Sequence, residues 1–191
     1  IKKKLKIKGD VLDLGAGSGY VGIKLLSLFK DKFNLFASDI GRTATQIIKS
    51  NAKINKKDII VRTGSLFKPW KNYKFDFILN DVSGISEDVA KISPWFKDVS
   101  CKSGKDGTKL TMQIIKESKN FLSKKGVICF PILSFANENK VLETVKKNFK
   151  YVKKIGYKEW LLPKEMISKV LILERLKKKG YINFKKKFGL V

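Results

Sequence analysis

The stretch "VLDLGAGSGYVGI", residues 11–23, constrains the chain most. A short apolar run, Val11–Gly15, leads into Gly15, Gly17 and Gly19, and from Val21 onward Leu25, Leu28 and Phe29 recur at helical spacing. Glycines at alternate positions let a backbone leave a strand, turn tightly and enter a helix while staying open to a ligand. Such a strand–turn–helix is the opening unit of an α/β sheet, and the alternation continues along the chain. Asn34–Asp39, Ile59–Thr63, Phe75–Leu79 and Val127–Ile132 read as further strands. Thr43–Lys56 reads as a helix with Ala44, Ile47, Ile48 and Ile54 on its inner face. Leu110, Ile114, Phe121 and Leu122 mark a helix that Gly126 closes, and Val141, Leu142, Val145 and Phe149 mark the next.

Tyr151–Tyr157 and Lys169–Glu174 read as a final pair of strands. Only the loop "KEWLLPKEMI" separates them, too short for a parallel crossover, so they should pair antiparallel. The expected fold is therefore α/β: a three-layer sandwich around a mostly parallel, seven-stranded sheet closed by a C-terminal antiparallel pair. Residues 1–175 are expected to form one domain, and residues 176–191 a basic tail with Tyr181, Phe184 and Phe188 interleaved.

The chain has no histidine, which removes Ser-His and Cys-His catalysis. Its two cysteines, Cys101 and Cys129, lack metal-ligand spacing, so no zinc or other metal site is expected. No apolar run is long enough to cross a bilayer and no signal peptide is visible, so a cytoplasmic protein without membrane partners is expected. The chain begins at Ile1 rather than Met, which leaves open an upstream substrate-recognition segment. A net charge of +25 suits a nucleic-acid partner at a basic surface. Yet only Arg42, Arg62 and Arg175 are arginines, and lysine excess alongside many Ile and Asn residues is also what compositional bias would write. Both explanations of the charge stand at this stage.

Two carboxylates sharpen the glycine loop. Asp13 precedes Gly15 by two residues, where it would repel a pyrophosphate and welcome a cationic amino-acid ligand. Asp39 ends the second strand, where a carboxylate can accept both hydroxyls of a ribose. The Lys-Ser/Thr pair of a phosphate-binding P-loop is absent.

With these residues, "VLDLGAGSGYVGI" resembles the cofactor motif of class I, Rossmann-like S-adenosylmethionine-dependent methyltransferases. The resemblance implies S-adenosyl-L-methionine as cofactor. Asp13, Gly15, Ala16 and Gly17 would line its methionine end, Asp39 would hold the ribose, and Ile40 would lie beside the adenine. Ser65 stands where the family often has an acid facing the adenine amino group, and Leu66 would pack on the ring. "FILNDVSGIS", residues 77–86, ends the fourth strand where family members that methylate planar nitrogens carry N/D-P-P-Y/F. Here the signature reads Asn80, Asp81, Val82, Ser83: the asparagine matches, while both prolines and the aromatic are lost.

"SNAKIN", "SLF" and "GKDG" at Gly104–Gly107 are similar to the release-factor glutamine methyltransferases of the methyltransferase small group. That resemblance implies N-methylation of a glutamine side chain on a translation protein or a similar macromolecular target. Asn80 would touch both cofactor and acceptor nitrogen, and Asp81 would place a second carboxylate beside them. Trp95, Phe96 or Tyr20 could replace the missing aromatic, or simply pack in the fold. Two alternatives remain: an RNA-base N-methyltransferase, and a cofactor- or RNA-binding module without catalysis.

Overall fold

A computed structural model describes residues 7–97 and 99–186. Five strands form one sheet: β1 (Gly9–Leu14), β2 (Phe33–Asp39), β3 (Ile59–Thr63), β4 (Phe75–Asn80) and β5 (Leu122–Cys129). All neighbours run parallel, in the order β3-β2-β1-β4-β5. Helix α1 (Tyr20–Leu28) links β1 to β2, and α2 (Arg42–Ile54) links β2 to β3. The chain then returns to the opposite side of β1 for β4. The carboxyl ends of β1 and β4 therefore flank a switch point, where open α/β sheets bind ligands.

The apolar run of β1 is buried on both faces, Val11, Leu12 and Leu14 being at most 1% exposed. Such continuous burial is what a central parallel strand requires. Phe36, Trp70, Tyr73 and Phe75 form an aromatic cluster against the sheet. The indole of buried Trp70 donates to Ser38 Oγ at 2.9 Å, and the Arg62 guanidinium lies over the Trp70 and Tyr73 rings. Ser38 thus has a partner at the end of β2, which helps fix the neighbouring Asp39.

The chain divides into two compact units. The first comprises residues 1–82 and 117–131 and contains the sheet. The second comprises residues 83–116 and 132–191. Its elements are α3 (Glu87–Ala90), most of α4 (Lys109–Ser118), α5 (Glu138–Asn148), α6 (Lys164–Ile167) and α7 (Val170–Lys178). Its core gathers Ile85, Val89, Met166, Leu173, Leu176 and Ile182. Phe188 and the last residues of the basic tail lie outside the described residues. No helix among the described residues is long and apolar enough to cross a membrane.

Three expectations are corrected. The sheet has five strands among the described residues, not seven, and no antiparallel pair. Tyr151–Tyr157 forms neither helix nor strand, and Lys169–Glu174 falls almost wholly in α7. The run "VLIL" reads equally as a buried strand or a helix, and burial decides. Leu173 and Leu176 are buried one helical turn apart, while Leu171, which a strand would place on the face of Leu173, is 76% exposed. Gly126 does not close a helix: α4 ends at Ser118, and Gly126 sits inside β5. There the β4–β5 register shifts between Phe75 and Phe77, and a side chain at 126 would meet the Phe75 carbonyl oxygen at 2.8 Å. A glycine in a strand commonly marks such an irregular, close backbone approach.

Candidate active site

The candidate residues all belong to the first unit and converge on the carboxyl ends of its strands. Asp13 and Leu14 of β1 are in register with Ala37 and Ser38 of β2 and with Leu79 and Asn80 of β4. Asp39 of β2 is in register with Thr63 of β3. Four strand ends therefore present Asp13, Asp39, Asn80 and the Gly64–Leu66 turn on one rim.

The glycine loop is fastened to β2 by its backbone. The Gly15 and Ala16 N–H groups both donate to the Ser38 carbonyl, at 2.8 and 3.0 Å, and Gly19 N–H donates to Ala16 O. Gly15, Gly17 and Gly19 all have positive φ, which explains their residue type. Their surroundings differ. A Cβ at Gly15 would lie 2.4 Å from Val82 Cγ2, so Gly15 is closed over by the residue after Asn80 and Asp81. A Cβ at Gly17 would meet no atom within 4 Å, so the space beside it is open.

The carboxylates are anchored by backbone N–H groups. Asp39 accepts from Gly17 N–H on one oxygen at 3.0 Å and from Gly41 N–H on the other at 2.9 Å. Each oxygen keeps a lone pair, enough for the two hydroxyls of a ribose. Gly64 N–H donates to the Asp39 carbonyl and brings Ser65 and Leu66 alongside. Leu66 is held at φ +48°, an unusual conformation for leucine, and Ile40 is 74% exposed beside Asp39.

Asp13 is 1% exposed and accepts a hydrogen bond from Gly22 N–H in α1 at 3.0 Å. Burial pushes its pKa up to about 7; the Gly22 hydrogen bond opposes this, and the charges of Asp81 and Asp39 add to the rise. Asp81 is solvent-exposed as a residue, yet partial desolvation of its carboxyl raises its pKa too. Asp13, Asp39 and Asp81 thus bring three acids to these strand ends, with Asp39 bonded to the glycine loop. They are not grouped to hold a metal ion, and no such group occurs among the described residues.

Asn80 is buried, and its side-chain oxygen accepts from Val82 N–H at 3.2 Å. Asp81 N–H reaches the Leu14 carbonyl at 3.3 Å. This bond closes an Asx-type turn at the start of the "NDVS" segment, which has no prolines. The Asn80 side-chain oxygen retains a second lone pair for an acceptor N–H.

Of the three candidate aromatics, Tyr20 is 69% exposed at the start of α1. In the second unit Trp95 is 54% exposed, while Phe96 packs on that unit's core. "GKDG" serves the fold of the second unit. Asp106 accepts from Thr108 and from Lys140 Nζ, and Gly107 approaches Ile85 and Ser86 too closely for any side chain.

Sequence reasoning missed Gly22. A Cβ there would meet the Asp13 carboxylate at 2.7 Å and Leu35 at 3.1 Å. The signal was a glycine inside a helix, where it costs about 1 kcal/mol and so calls for a packing reason. Val82 was also missed as the residue that covers Gly15.

Comparison with known proteins places the chain among methyltransferases. The methyltransferase small domain model matches residues 1–81. The chain is 33% identical over 128 residues to the release factor glutamine methyltransferase of Aquifex aeolicus, covering 63% of this chain and 44% of that one. It is 31% identical over 159 residues to a putative protein N5-glutamine methyltransferase of Methanocaldococcus jannaschii, covering 83% of this chain and 76% of that one. The chain spans about half the length of the release factor methyltransferases it matches, 44%, 46% and 52% in three cases. Among solved structures, a methyltransferase from Pyrococcus furiosus superposes with a TM-score of 0.61 at 16% identity, over 83% of this chain and 73% of that one. That likeness supports the Rossmann-like methyltransferase fold, here with a five-stranded parallel sheet. The chain therefore belongs to the methyltransferase small family of S-adenosylmethionine-dependent methyltransferases.

Proposed function

We propose that this chain uses S-adenosyl-L-methionine to N-methylate a glutamine side chain of a translation protein. The observation that carries the cofactor assignment is the open space beside Gly17, whose N–H is held by Asp39, with the buried Asp13 and the rim residue Asp81 as further acids of these strand ends. A ligand that brings its own positive charge and a ribose diol fits this rim; a dinucleotide pyrophosphate does not. In this reading Asp13, Gly15, Ala16 and Gly17 line the methionine end, and Asp39 takes the ribose hydroxyls. Ile40, Ser65 and Leu66 flank the adenine. The glutamine substrate is supported by the relatives' names, a release factor glutamine methyltransferase and a putative protein N5-glutamine methyltransferase.

When bound, the cofactor supplies an electrophilic methyl group. The acceptor nitrogen's lone pair would take that methyl, with the electron pair of the methyl–sulfur bond leaving on sulfur. The task of the protein is to make an amide nitrogen nucleophilic and hold it in line. Asn80 stands at the end of β4 beside the glycine loop, and its free lone pair accepts one amide N–H. This draws the nitrogen lone pair toward the methyl carbon. Asp81 follows at the rim and takes up the proton that the nitrogen loses, passing it to water. Positioning supplies most of the acceleration, with effective molarities of ~10⁵ M or more.

The test is transfer of tritiated methyl from labelled cofactor into a cell extract, followed by protease or nuclease digestion. Label released by protease, and recovered as methylglutamine after hydrolysis, is the expected result. Label released only by nuclease would replace the glutamine reading with an RNA base. Cofactor binding without any transfer would make the chain a binding module.

A further inference from the structure

The segment joining α5 to α6 leaves three aromatic rings in solvent. Tyr151, Tyr157 and Trp160 are 85%, 70% and 63% exposed, and residues 150–160 form no helix or strand. An ammonium lies over each ring: Lys150 over Tyr151 at 5.6 Å, Lys154 over Tyr157 at 4.4 Å, and Lys158 over Trp160 at 5.6 Å. Residues 146–158 hold six lysines and no acid. Three large rings exposed within ten residues exceed the singly scattered apolar side chains that are ordinary on a surface. We propose that the Lys150–Trp160 segment is a docking strip for single-stranded RNA. This goes beyond methyl transfer and does not rest on it.

The chemistry favours a nucleic acid over a protein partner. Protein interfaces are depleted in lysine at their cores, whereas here a lysine accompanies every ring. A nucleotide offers what each pair lacks: a flat base for the ring and a phosphate for the ammonium. When a base stacks on the ring, the ammonium passes from the ring face to the adjoining phosphate. The strip contains no arginine for bidentate reading of base edges and no helix to enter a groove. Stacking on an extended segment therefore calls for unpaired bases.

Glu159 points to RNA rather than DNA. Its carboxylate accepts from the Tyr157 hydroxyl at 2.8 Å and faces Lys185 at 3.7 Å. Lys185 offsets its repulsion of phosphate. Each carboxylate oxygen can accept more than one hydrogen bond, and the position of Glu159 beside the ring suits a ribose 2′-hydroxyl, which DNA lacks.

Fluorescence anisotropy with a labelled, mixed-sequence 12-nucleotide RNA tests the strip on the full chain. Single-strand binding changes its log–log salt slope by about 0.7 per phosphate contact. K150A/K154A/K158A should therefore flatten the slope by about 2. Y157A and W160A should each weaken binding about tenfold at unchanged slope, while Y157F and W160F stay within about twofold of wild type. The phenylalanine variants separate loss of stacking from loss of fold. The deoxy oligonucleotide and the duplex RNA should both bind more weakly. K49A/K53A/K56A, on α2 and the turn that follows it, removes the same charge from the first unit and should change the slope by less than one. An equal effect of that control would reduce the binding to diffuse charge and overturn the proposal. Unchanged RNA affinity in Y157A and W160A would also overturn it, as would DNA binding as tight as RNA. Loss of protein labelling in those two variants with RNA affinity intact would assign the strip to a protein partner instead.

Discussion

Replacing Asp13 with asparagine should make the protein more stable at pH 8 than at pH 5 relative to wild type. Asp13 is 1% exposed, and burial, assisted by the charges of Asp81 and Asp39, moves its pKa from 3.8 to about 7. A carboxyl raised in the folded state favours folding in full below pH ~4, and that contribution is lost as pH climbs to about 7. The total is about 4 kcal/mol, of which ~2–3 kcal/mol is lost between pH 5 and pH 8. Asparagine keeps an oxygen for the Gly22 N–H and does not ionise. In urea unfolding without ligand, the advantage of Asp13→Asn should therefore grow by ~2–3 kcal/mol from pH 5 to pH 8. Cofactor should reverse the comparison, since its positive charge favours the ionised wild-type carboxylate. A difference between wild type and variant that stays constant across this pH range would refute the reasoning. Asp13 would then not be the uncompensated buried acid the structure describes.

Two further substitutions separate binding from folding. Gly17→Ala should leave the fold intact, at a cost of about 1–2 kcal/mol for a left-handed alanine, yet weaken cofactor binding more than tenfold; Gly15→Ala should lower stability itself, because its methyl would run into Val82. Thermal melts with calorimetry of cofactor binding distinguish the two. Asp39→Ala should cost about 1.5–3 kcal/mol of cofactor affinity, roughly tenfold to a hundredfold, and neither protein should bind NAD detectably by calorimetry.

Much of the sheet was legible because its strands carry period and punctuation together. Ile59–Thr63 matches β3 residue for residue, and Asp39 closes β2 as expected. The glycine loop was legible because its turn needs three left-handed residues in a row of five. What failed was local. "VLIL" carries no period of its own, and only its burial partners Met166 and Leu176 decide for a helix. Gly126 was read as a helix stop because an irregular strand and a helix end call for the same residue. Gly22 and Val82 could not be found from spacing, since their importance lies in contacts across the fold, on Asp13 and Gly15. The loss of the two prolines was legible, but the turn closed by the Asn80 side chain was not.

The central claim is that Asn80 still holds an acceptor nitrogen although its motif has changed. The most direct test is single-turnover methyl transfer by Asn80→Ala, with cofactor affinity measured on the same preparation. Transition-state hydrogen bonds of this kind are typically worth ~3–4 kcal/mol. Transfer should therefore slow by about two to three orders of magnitude while cofactor affinity stays within a few-fold of wild type. A variant that turns over like wild type but binds cofactor poorly would contradict the account, because Asn80 would then serve the cofactor alone.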